Sequence, residues 1–325
     1  MAKKTDWVSL AGWLTNLKIF CDRGLSIKYL IYRLKWNLLV RNFRLLKFPL
    51  HLDVEATINC NLRCKMCFQD SVTYKRGFMD FGLYKKIIDE GAKNGLASIK
   101  LNWRGEPLLH PRIADMIKYA KSRGLVDVQF LTNATLLNEG KALEILESGL
   151  DQIVFSFEGT TKETYEKIRR GANYEKTMSN IKTFLKLKKQ KGLKKPIVRI
   201  QTVRMKETEK EIKDFINYWK NRVDYVSICN YIEFDEEKRK KLRSKEVKRK
   251  ACNQPWQRFS ISWNGDVSIC CRDYNSELII GNVKNQSIRE LWNSEKMKGI
   301  RKLFINGELG RIPICRFCDS KETYE

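Results

Sequence analysis

Long apolar segments, histidine and acidic residues are all scarce in this sequence of 325 residues. No run of about 18 uncharged apolar residues occurs, which argues against a membrane-spanning helix. The N-terminus also lacks the basic, apolar and small-residue order of a secretory signal. Lys and Arg number 63 against 38 Asp and Glu, so the net charge is +25 with only two histidines. From the two absences we expect a cytoplasmic protein. Its net positive charge creates an electrostatic field that attracts phosphates, nucleic acid or anionic lipid, with a merely solvated lysine-rich surface as the alternative.

The remaining composition is that of a folded protein, with 42% hydrophobic and 31% charged residues. At this length we expect one large α/β domain with a smaller appendage. The chain has ten cysteines. Because the cytosol keeps cysteines reduced, these are expected to be metal ligands or thiols rather than disulfides.

Residues 1–48 predict two or three basic amphipathic helices. Apolar residues such as Trp7, Trp13 and Trp36 recur at roughly helical spacing among ten Lys or Arg and two Asp. Such helices pack against the body of their own protein or lie on an anionic membrane surface. Both interpretations stay open, and binding to an anionic membrane surface would place the protein at the inner face of the membrane.

A repeated strand-then-helix rhythm begins at residue 51. Strands are predicted near residues 51–58, 98–102, 127–131, 152–157, 197–204 and 223–229. Amphipathic helices fit between them, for example at residues 80–93, 113–123, 140–148, 162–169 and 175–190. Six such units predict a partial (β/α)6 TIM-like barrel over residues 49–232, with its chemistry at the C-terminal strand ends.

Two further segments follow the predicted barrel. Residues 233–251 are rich in Lys, Arg and Glu and are expected to form a charged linker. Residues 252–325 carry cysteines, a hairpin-like pair of segments that turns at Asn264-Gly265, and a capping-box helix that begins at Ser287. They predict a small C-terminal domain of a β-hairpin and a helix.

Three cysteines lie directly after the first predicted strand, where Cys60, Cys64 and Cys67 share one loop. Their thiolates can face a single cluster. Three protein ligands leave one iron of a 4Fe-4S cube open to bind a small molecule, whereas an electron-transfer site would use a fourth cysteine. A zinc site or a set of buried thiols is the alternative.

This loop resembles that of the radical S-adenosylmethionine (SAM) superfamily, and the resemblance covers about residues 51–325. It implies that the amino and carboxylate groups of SAM chelate the open iron. One electron from the cluster then releases methionine and a 5'-deoxyadenosyl radical. A flavodoxin- or ferredoxin-type protein is the implied electron donor.

Further positions match the family in order. The segment Trp103–Pro107 resembles the family's Gly-Gly-Glu-Pro turn, which implies that Gly105 and Glu106 contact the methionyl amino group, although Arg104 replaces the first glycine. A glycine lets backbone carbonyls approach an ammonium closely, and a glutamate adds negative charge. After the third strand, Leu131–Thr135 resembles the family's Thr-Asn-Gly segment.

The resemblance also implies contacts with the ribose or the carboxylate of SAM. Ser156, Asn133 and Glu158 are expected at the barrel mouth, although Asn and Gly near strand ends are commonly turn formers. Arg170 is a candidate partner of the SAM carboxylate, with a surface salt bridge as the alternative.

The C-terminal cysteines form a second set, Cys252, Cys270, Cys315 and Cys318. Their order resembles the SPASM and shorter twitch extensions of radical SAM enzymes and implies one auxiliary 4Fe-4S cluster. The spacing from Gly265 favours Cys270 over the adjacent Cys271 as ligand. A structural zinc site is the alternative. A fully ligated cluster cannot activate substrate directly, so it would accept or relay an electron, which points to net oxidation.

The short tail is similar to that of aminocyclitol dehydrogenases, which implies an oxidoreductase acting on a sugar- or cyclitol-like alcohol. Maturation of a ribosomally made peptide stays open, as does carbohydrate epimerisation with Cys229 returning the hydrogen. The expected substrate is therefore a small carbohydrate-like molecule or a peptide. The basic surface also allows a nucleic-acid-binding iron-sulfur protein, but no RNA-binding motif occurs, and nucleic acid is not an expected partner.

Overall fold

The computed structural model describes residues 26–234, 252–316 and 318. The predicted N-terminal helices before residue 26 and most of the predicted linker, residues 235–251, lie outside the described residues. The described residues form one mixed sheet with helices packed against it. In this part of the chain, no helix combines the length and the apolar character that crossing a membrane requires.

The sheet contains nine strands in the described residues, in the order β6-β5-β4-β3-β2-β1-β7-β8-β9. Their bounds are β1 His51–Val54, β2 Ser98–Lys100, β3 Asp127–Thr132, β4 Gln152–Ser156, β5 Ile197–Arg204, β6 Tyr225–Asn230, β7 Arg258–Ile261, β8 Asp266–Ser268 and β9 Ile279–Asn282. Strands β1 to β6 are parallel neighbours. The predicted α/β partial barrel of six parallel strands is therefore confirmed.

Helices follow the strands as the sequence predicts. In the described residues they are α1 Ile27–Leu34, α2 Phe81–Lys93, α3 Ile113–Ser122, α4 Glu139–Leu146, α5 Lys162–Ile168, α6 Tyr174–Gln190, α7 Ile212–Trp219, α8 Gln254–Gln257, α9 Ile288–Asn293, α10 Glu295–Ile305 and α11 Pro313–Arg316. Side-chain caps explain several of the starts: Asp80 accepts from the Leu83 N–H, and Thr161 from the Thr164 N–H.

The strands bury one face and leave the other polar. Along β5, Val198 and Ile200 are fully buried, whereas Arg199 and Gln201, which alternate with them, are partly exposed. Successive side chains of a strand point to opposite faces, so the apolar set packs under the helices and the polar set faces the space that the sheet encloses. We call this space the lumen, the carboxyl ends of strands β1 to β6 its mouth, and their amino ends its floor.

Helix α1 closes the floor. Its Tyr29 and Tyr32 are buried, and Trp36 follows them, with its ring centroid 6.3 Å from that of His51, the first residue of β1. This part of the N-terminal segment therefore packs one side against the body of the protein. The opposite side of the same segment is apolar and exposed at Ile27, Leu30, Ile31, Leu34 and Leu38.

The C-terminal segment continues the sheet of the barrel. Strand β7 pairs in parallel with β1, and β8 and β9 follow as antiparallel neighbours. The turn between β7 and β8 contains Gly265 at φ 94°, as its Asn-Gly sequence predicts. The capping box of α9 forms between Ser287 and Glu290. The small domain thus shares its central hydrogen bonds with the barrel.

Candidate functional site

The loop that carries Cys60, Cys64 and Cys67 lies at the mouth, directly after β1. Its backbone is held to the end of α5, because the Lys65 N–H donates to the Ile168 carbonyl over 2.8 Å. The three cysteines carry free thiols, with Cys64 buried and the other two partly exposed. The structure therefore brings these three sulfur donors to one place at the strand ends.

Burial raises the pKa of all three thiols, that of Cys60 to about 11. Nearby N–H groups point at two of the sulfurs: the Leu62 N–H at Cys60 Sγ over 3.5 Å, and Arg169 Nη1 at Cys64 Sγ over 3.5 Å. Sulfur-only donors with N–H groups around them fit an iron-sulfur cluster. Iron binding stabilises the thiolate form of a cysteine even where burial favours the neutral thiol. Among the described residues, no three His, Cys, Asp or Glu side chains converge at the spacing of a single metal ion.

Gly105 lies against the chain that leads into the cysteine loop. It has φ 71°, and a Cβ added there would lie 2.3 Å from the Thr57 carbonyl oxygen and 2.6 Å from that of Asn59. The next residue, Glu106, donates its N–H to the Asn59 carbonyl over 2.8 Å. No side chain fits at this position, so the turn after β2 and the start of the cysteine loop touch through their backbones.

The Glu106 side chain joins two strand ends. It is 2% exposed and accepts from Thr132 Oγ1 and from the Asn133 N–H, both over 2.7 Å. Burial raises its pKa despite these hydrogen bonds. Asn133 in turn donates from Nδ2 to Asn61 Oδ1 over 3.0 Å, within the cysteine loop. The predicted site residues Gly105, Glu106 and Asn133 are therefore brought together beside that loop.

Glu158 forms a buried ion pair that the sequence did not indicate. Arg169 donates to it from Nε and, over 2.9 Å, from Nη2, while Nη1 points at Cys64 Sγ. Burial alone would lower the pKa of Arg169, but Glu158 and Cys64 raise it well above its ordinary value. A permanent positive charge thus lies next to a cysteine of the first set. The signal in the sequence was the doublet Arg169-Arg170, which does not say which arginine turns inward.

Arg170 turns outward. Its side chain is 56% exposed, and it donates from Nη2 to Asp70 Oδ2 over 2.9 Å and from Nε to the Arg63 carbonyl over 2.7 Å. Arg170 therefore forms the surface salt bridge that the sequence analysis gave as the alternative to pairing with SAM. The arginine that points toward the first cysteine set is Arg169.

Ser156 and Cys229 lie on one wall of the lumen, with Gln201 between them. Gln201 Nε2 is 3.4 Å from Ser156 Oγ, and Cys229 Sγ is 3.8 Å from Gln201 Oε1. The thiol of Cys229 is partly exposed, and burial raises its pKa. The structure thus groups both residues on strands that end at the mouth.

A charged group occupies the lower part of the lumen. Asp53 is fully buried and lies 2.8 Å from Lys100 Nζ, 3.5 Å from Arg258 Nη1 and 3.4 Å from His51 Nε2. Burial alone would raise the pKa of Asp53, but Lys100, Arg258 and His51 outweigh it and hold the pKa well below its usual range. No sequence motif indicated this group, since its members come from strands far apart in the chain.

The second cysteine set lies where the segment after β8 meets the C-terminal turn. A hydrogen bond between the adjacent thiols raises the pKa of Cys270 and lowers that of Cys271. The charge of Cys252 also acts on Cys270, whereas the charged neighbours of Cys271 are Asp53, Lys100 and Arg258. Cys270 therefore lies near Cys252, and Cys271 near the charged group around Asp53.

The C-terminal cysteines approach the same segment. Arg272 Nη1 points at Cys318 Sγ over 3.9 Å, and the Arg272 N–H at Cys270 Sγ over 3.4 Å. Cys315 belongs to α11, and the Cys318 N–H donates to its carbonyl over 3.1 Å. This sulfur-only set, with N–H donors at two of its sulfurs, fits an iron-sulfur cluster in the same way as the first set.

Comparison with known proteins gives two family matches. Residues 54–219 match the radical SAM superfamily, and residues 252–319 match SPASM, an iron-sulfur cluster-binding domain. The chain is also 28% identical over 321 residues to the tungsten-containing aldehyde ferredoxin oxidoreductase cofactor-modifying protein of Pyrococcus furiosus. That alignment covers 84% of this chain and 88% of the relative.

Two solved structures resemble the fold at 17% sequence identity each. One is BtrN in complex with AdoMet and 2-DOIA, with a TM-score of 0.56, covering 83% of this chain and 93% of that one. The other is Streptococcus suis SuiB bound to precursor peptide SuiA, with a TM-score of 0.64, covering 81% of this chain and 69% of that one. These likenesses establish the fold. With the family matches and the two cysteine sets, they show that the chain is an enzyme of the radical SAM superfamily, with a SAM-binding 4Fe-4S cluster and a SPASM iron-sulfur domain.

Proposed function

We propose that this radical SAM enzyme oxidises a polar, sugar- or cyclitol-like alcohol to a ketone. When bound, the cofactors supply a 5'-deoxyadenosyl radical that takes hydrogen from the hydroxyl-bearing carbon and an auxiliary cluster that receives the remaining electron. The hydroxyl proton leaves to a protein group or to water. The chain's own share is to bind the substrate in the lumen, next to the mouth.

The polarity of the lumen carries this proposal. Inward-facing residues on five successive strands are partly exposed and polar, namely Lys100, Gln129, Ser156, Arg199, Gln201 and Tyr225. Their outward neighbours on the same strands, such as Ile99 and Phe155, are fully buried. Side chains of this kind can donate hydrogen bonds to, and accept them from, the hydroxyl groups of a carbohydrate-like molecule, which favours such a substrate over an apolar one.

The binding of 2-DOIA by a structural neighbour and of a peptide by another supports both substrate classes as candidates. Cys229 favours a third outcome, epimerisation, because its thiol lies on the lumen wall 3.8 Å from Gln201 Oε1. A thiol there could return hydrogen to the opposite face of a substrate radical. These candidates differ in product: a ketone, a cross-linked peptide or an epimer.

Anaerobically reconstituted enzyme, reduced with dithionite and supplied with SAM, tests the proposal. We expect slow formation of 5'-deoxyadenosine alone and faster formation with aminocyclitols or sugars, together with a ketone product. Deuterium at the oxidised carbon should appear in 5'-deoxyadenosine. Stimulation by peptides alone, or an epimer that disappears in Cys229→Ala, would replace the proposed reaction with one of the other two.

We propose an acidic flavodoxin- or ferredoxin-type protein as electron donor. The surface beside the first cysteine set carries three cations, Arg63, Lys65 and Arg170, whose side chains are 46%, 50% and 56% exposed, against two acidic partners, Asp70 and Glu207. Redox partners form small interfaces that rely on charge complementarity. Reduction by a flavodoxin should slow as salt rises and in Lys65→Glu, while dithionite should reduce both proteins equally. Equal rates with flavodoxin would exclude this surface.

We also propose that the exposed side of the N-terminal segment contacts an anionic membrane surface. Ile27, Leu34 and Leu38 are 73%, 47% and 61% exposed. Residues 26–52 contain six Lys or Arg and no Asp or Glu. An apolar helical side among basic residues is typical of interfacial helices. Since this segment covers the floor, the mouth would face away from the bilayer, which favours a substrate taken from water over a lipid-linked one.

Sedimentation with vesicles rich in anionic lipid tests the membrane contact. We expect the full chain to bind, and the double variant Ile31→Ser with Leu34→Ser to bind at least tenfold less. Ile305→Ser is the matched control, because Ile305 is an apolar residue 64% exposed at the end of a different helix, α10. If binding appears only after residues 1–25 are deleted, those residues cover the apolar side and membrane contact is not its role.

A further inference from the structure

Arg104, the residue that breaks the family pattern of the turn after β2, is a buried link between the barrel and the C-terminal domain. It is 1% exposed. On the barrel side it pairs with Glu55 through Nε over 2.5 Å and Nη2 over 2.8 Å. Nη1 donates to the Tyr274 carbonyl over 2.8 Å and to the Ser276 hydroxyl over 3.3 Å, and Nη2 also donates to the Ser262 hydroxyl over 3.1 Å. Its five N–H donors are therefore all used, two on the barrel and three on the C-terminal domain.

Trp103 makes a second link from the same turn. Its indole N–H donates over 2.6 Å to the carbonyl of Cys271, next to the candidate ligand Cys270. The guanidinium of Arg104 lies 4.2 Å from the Trp103 ring centroid, so the two links support each other. Glu55 completes the contact on the other side by accepting the Trp263 N–H over 3.1 Å.

The residues on either side of these links belong to the two cofactor sites. Gly105 and Glu106 follow Arg104 directly, and their backbones touch the start of the first cysteine loop. Cys270 directly precedes Cys271, whose carbonyl accepts the hydrogen bond from Trp103. The glycine that the family pattern has at position 104 would lack the three Arg104 bonds to the C-terminal domain, because glycine carries no side chain.

We propose that Trp103 and Arg104 are positioning residues that fix the Cys270 segment against the SAM-binding turn and thereby set the stability and reduction potential of the auxiliary cluster. The outer partners of a metal site orient its ligands and tune its properties, and hydrogen bonding around the sulfurs contributes to the potential. This inference rests on the proposed auxiliary ligands Cys252, Cys270, Cys315 and Cys318.

The experiment uses the full chain with Cys60, Cys64 and Cys67 replaced by Ala, so that iron bound by the reconstituted protein reports the auxiliary site alone. Trp103→Phe keeps the ring and removes the indole N–H. Trp263→Phe is the matched control, since its indole N–H donates to the Lys75 carbonyl and not to the Cys270 segment. Arg104→Lys keeps a positive charge but supplies three donors in place of five.

We expect Trp103→Phe to release iron to a chelator roughly tenfold faster than the parent protein. Its auxiliary-cluster midpoint potential should also shift, while Trp263→Phe matches the parent in both measurements. Arg104→Lys should shift both further than Trp103→Phe. Iron release and potential unchanged in Trp103→Phe would overturn the inference even if Arg104→Lys fails to fold. Absence of iron from the parent protein would instead overturn the proposed ligand set.

Discussion

Arg169 and Arg170 are neighbours in the chain with opposite surroundings. Helix α5 ends at Ile168, and the two residues that follow turn to opposite sides of the backbone, one to Glu158 and Cys64 and the other to solvent. The sequence indicates an arginine near the SAM site but cannot choose between adjacent ones, because the choice depends on where the helix ends against the cysteine loop.

Substitution of each arginine by lysine should separate their roles. Arg169→Lys should lower the rate of 5'-deoxyadenosine formation by about tenfold or more, because a lysine cannot hold Glu158 in two bonds and also reach the sulfur. Arg170→Lys, the matched control on the surface, should stay within about twofold of the wild type. Anaerobic assays with dithionite measure both, and a larger loss in Arg170→Lys would return the role to the outer residue.

Asp53 should stabilise the fold in a pH-dependent way. Its replacement in Asp53→Asn leaves Lys100 and Arg258 in the lumen without their carboxylate, which should cost about 3 kcal/mol of unfolding free energy near pH 7. Since the pKa of Asp53 is held well below its unfolded value, its contribution is complete above about pH 4 and is lost as the pH falls further.

Urea unfolding of the apo-proteins, followed by circular dichroism, measures this effect. The difference between wild type and Asp53→Asn should be constant from pH 7 to 5 and shrink below about pH 4. A difference that grows on acidification would mean that Asp53 is not the stabilising anion of the lumen.

At the scale of elements, the turn after β2 depends on one glycine. Gly105→Ala should lower 5'-deoxyadenosine formation by about a hundredfold, because its Cβ would displace the chain that leads into the cysteine loop. Gly95→Ala is the matched control: φ is +80° there, with nothing within 4 Å of the added Cβ, so it carries the backbone strain without the collision. Comparable activity in the two variants would show that the close backbone approach is dispensable.

Most strands and helices could be predicted from the sequence, whereas the side chains that fill the lumen could not. The period of apolar residues marks β5 and α6 within a residue or two, since burial of one face sets that period. The group around Asp53 depends on strand register, for example the pairing of Asp53 with Lys100 and with Ser260. Register between strands more than forty residues apart leaves no local pattern in the chain.

At the scale of the whole molecule, the sequence suggests two domains joined by a charged linker, but the strands form one sheet. Cysteine spacing indicates the second cluster because its ligands keep fixed separations along the chain. The contacts between the two parts, like strand register, join residues far apart in the chain and leave no local sequence pattern. Strand β7 pairs with β1, Arg104 donates to the Tyr274 carbonyl, and the Trp292 indole donates to the Leu46 carbonyl.

This continuity predicts how the chain responds to cleavage between its two parts. With a specific protease site introduced within residues 235–251, the cut chain should elute as one species in gel filtration and keep its thermal stability. The reason is that β1 and β7, the Glu55–Arg104 pair and the Trp292 contact hold the fragments together without the linker.

Residues 1–234 produced alone should be insoluble or lack a cooperative melting transition. Strand β1 would become an exposed edge, and Arg104 would keep Glu55 but lose its three bonds to the C-terminal domain. Co-expression with residues 252–325 should restore solubility. A soluble 1–234 fragment with a sharp transition would mean that the parallel pairing of β1 with β7 is a contact between independently stable domains.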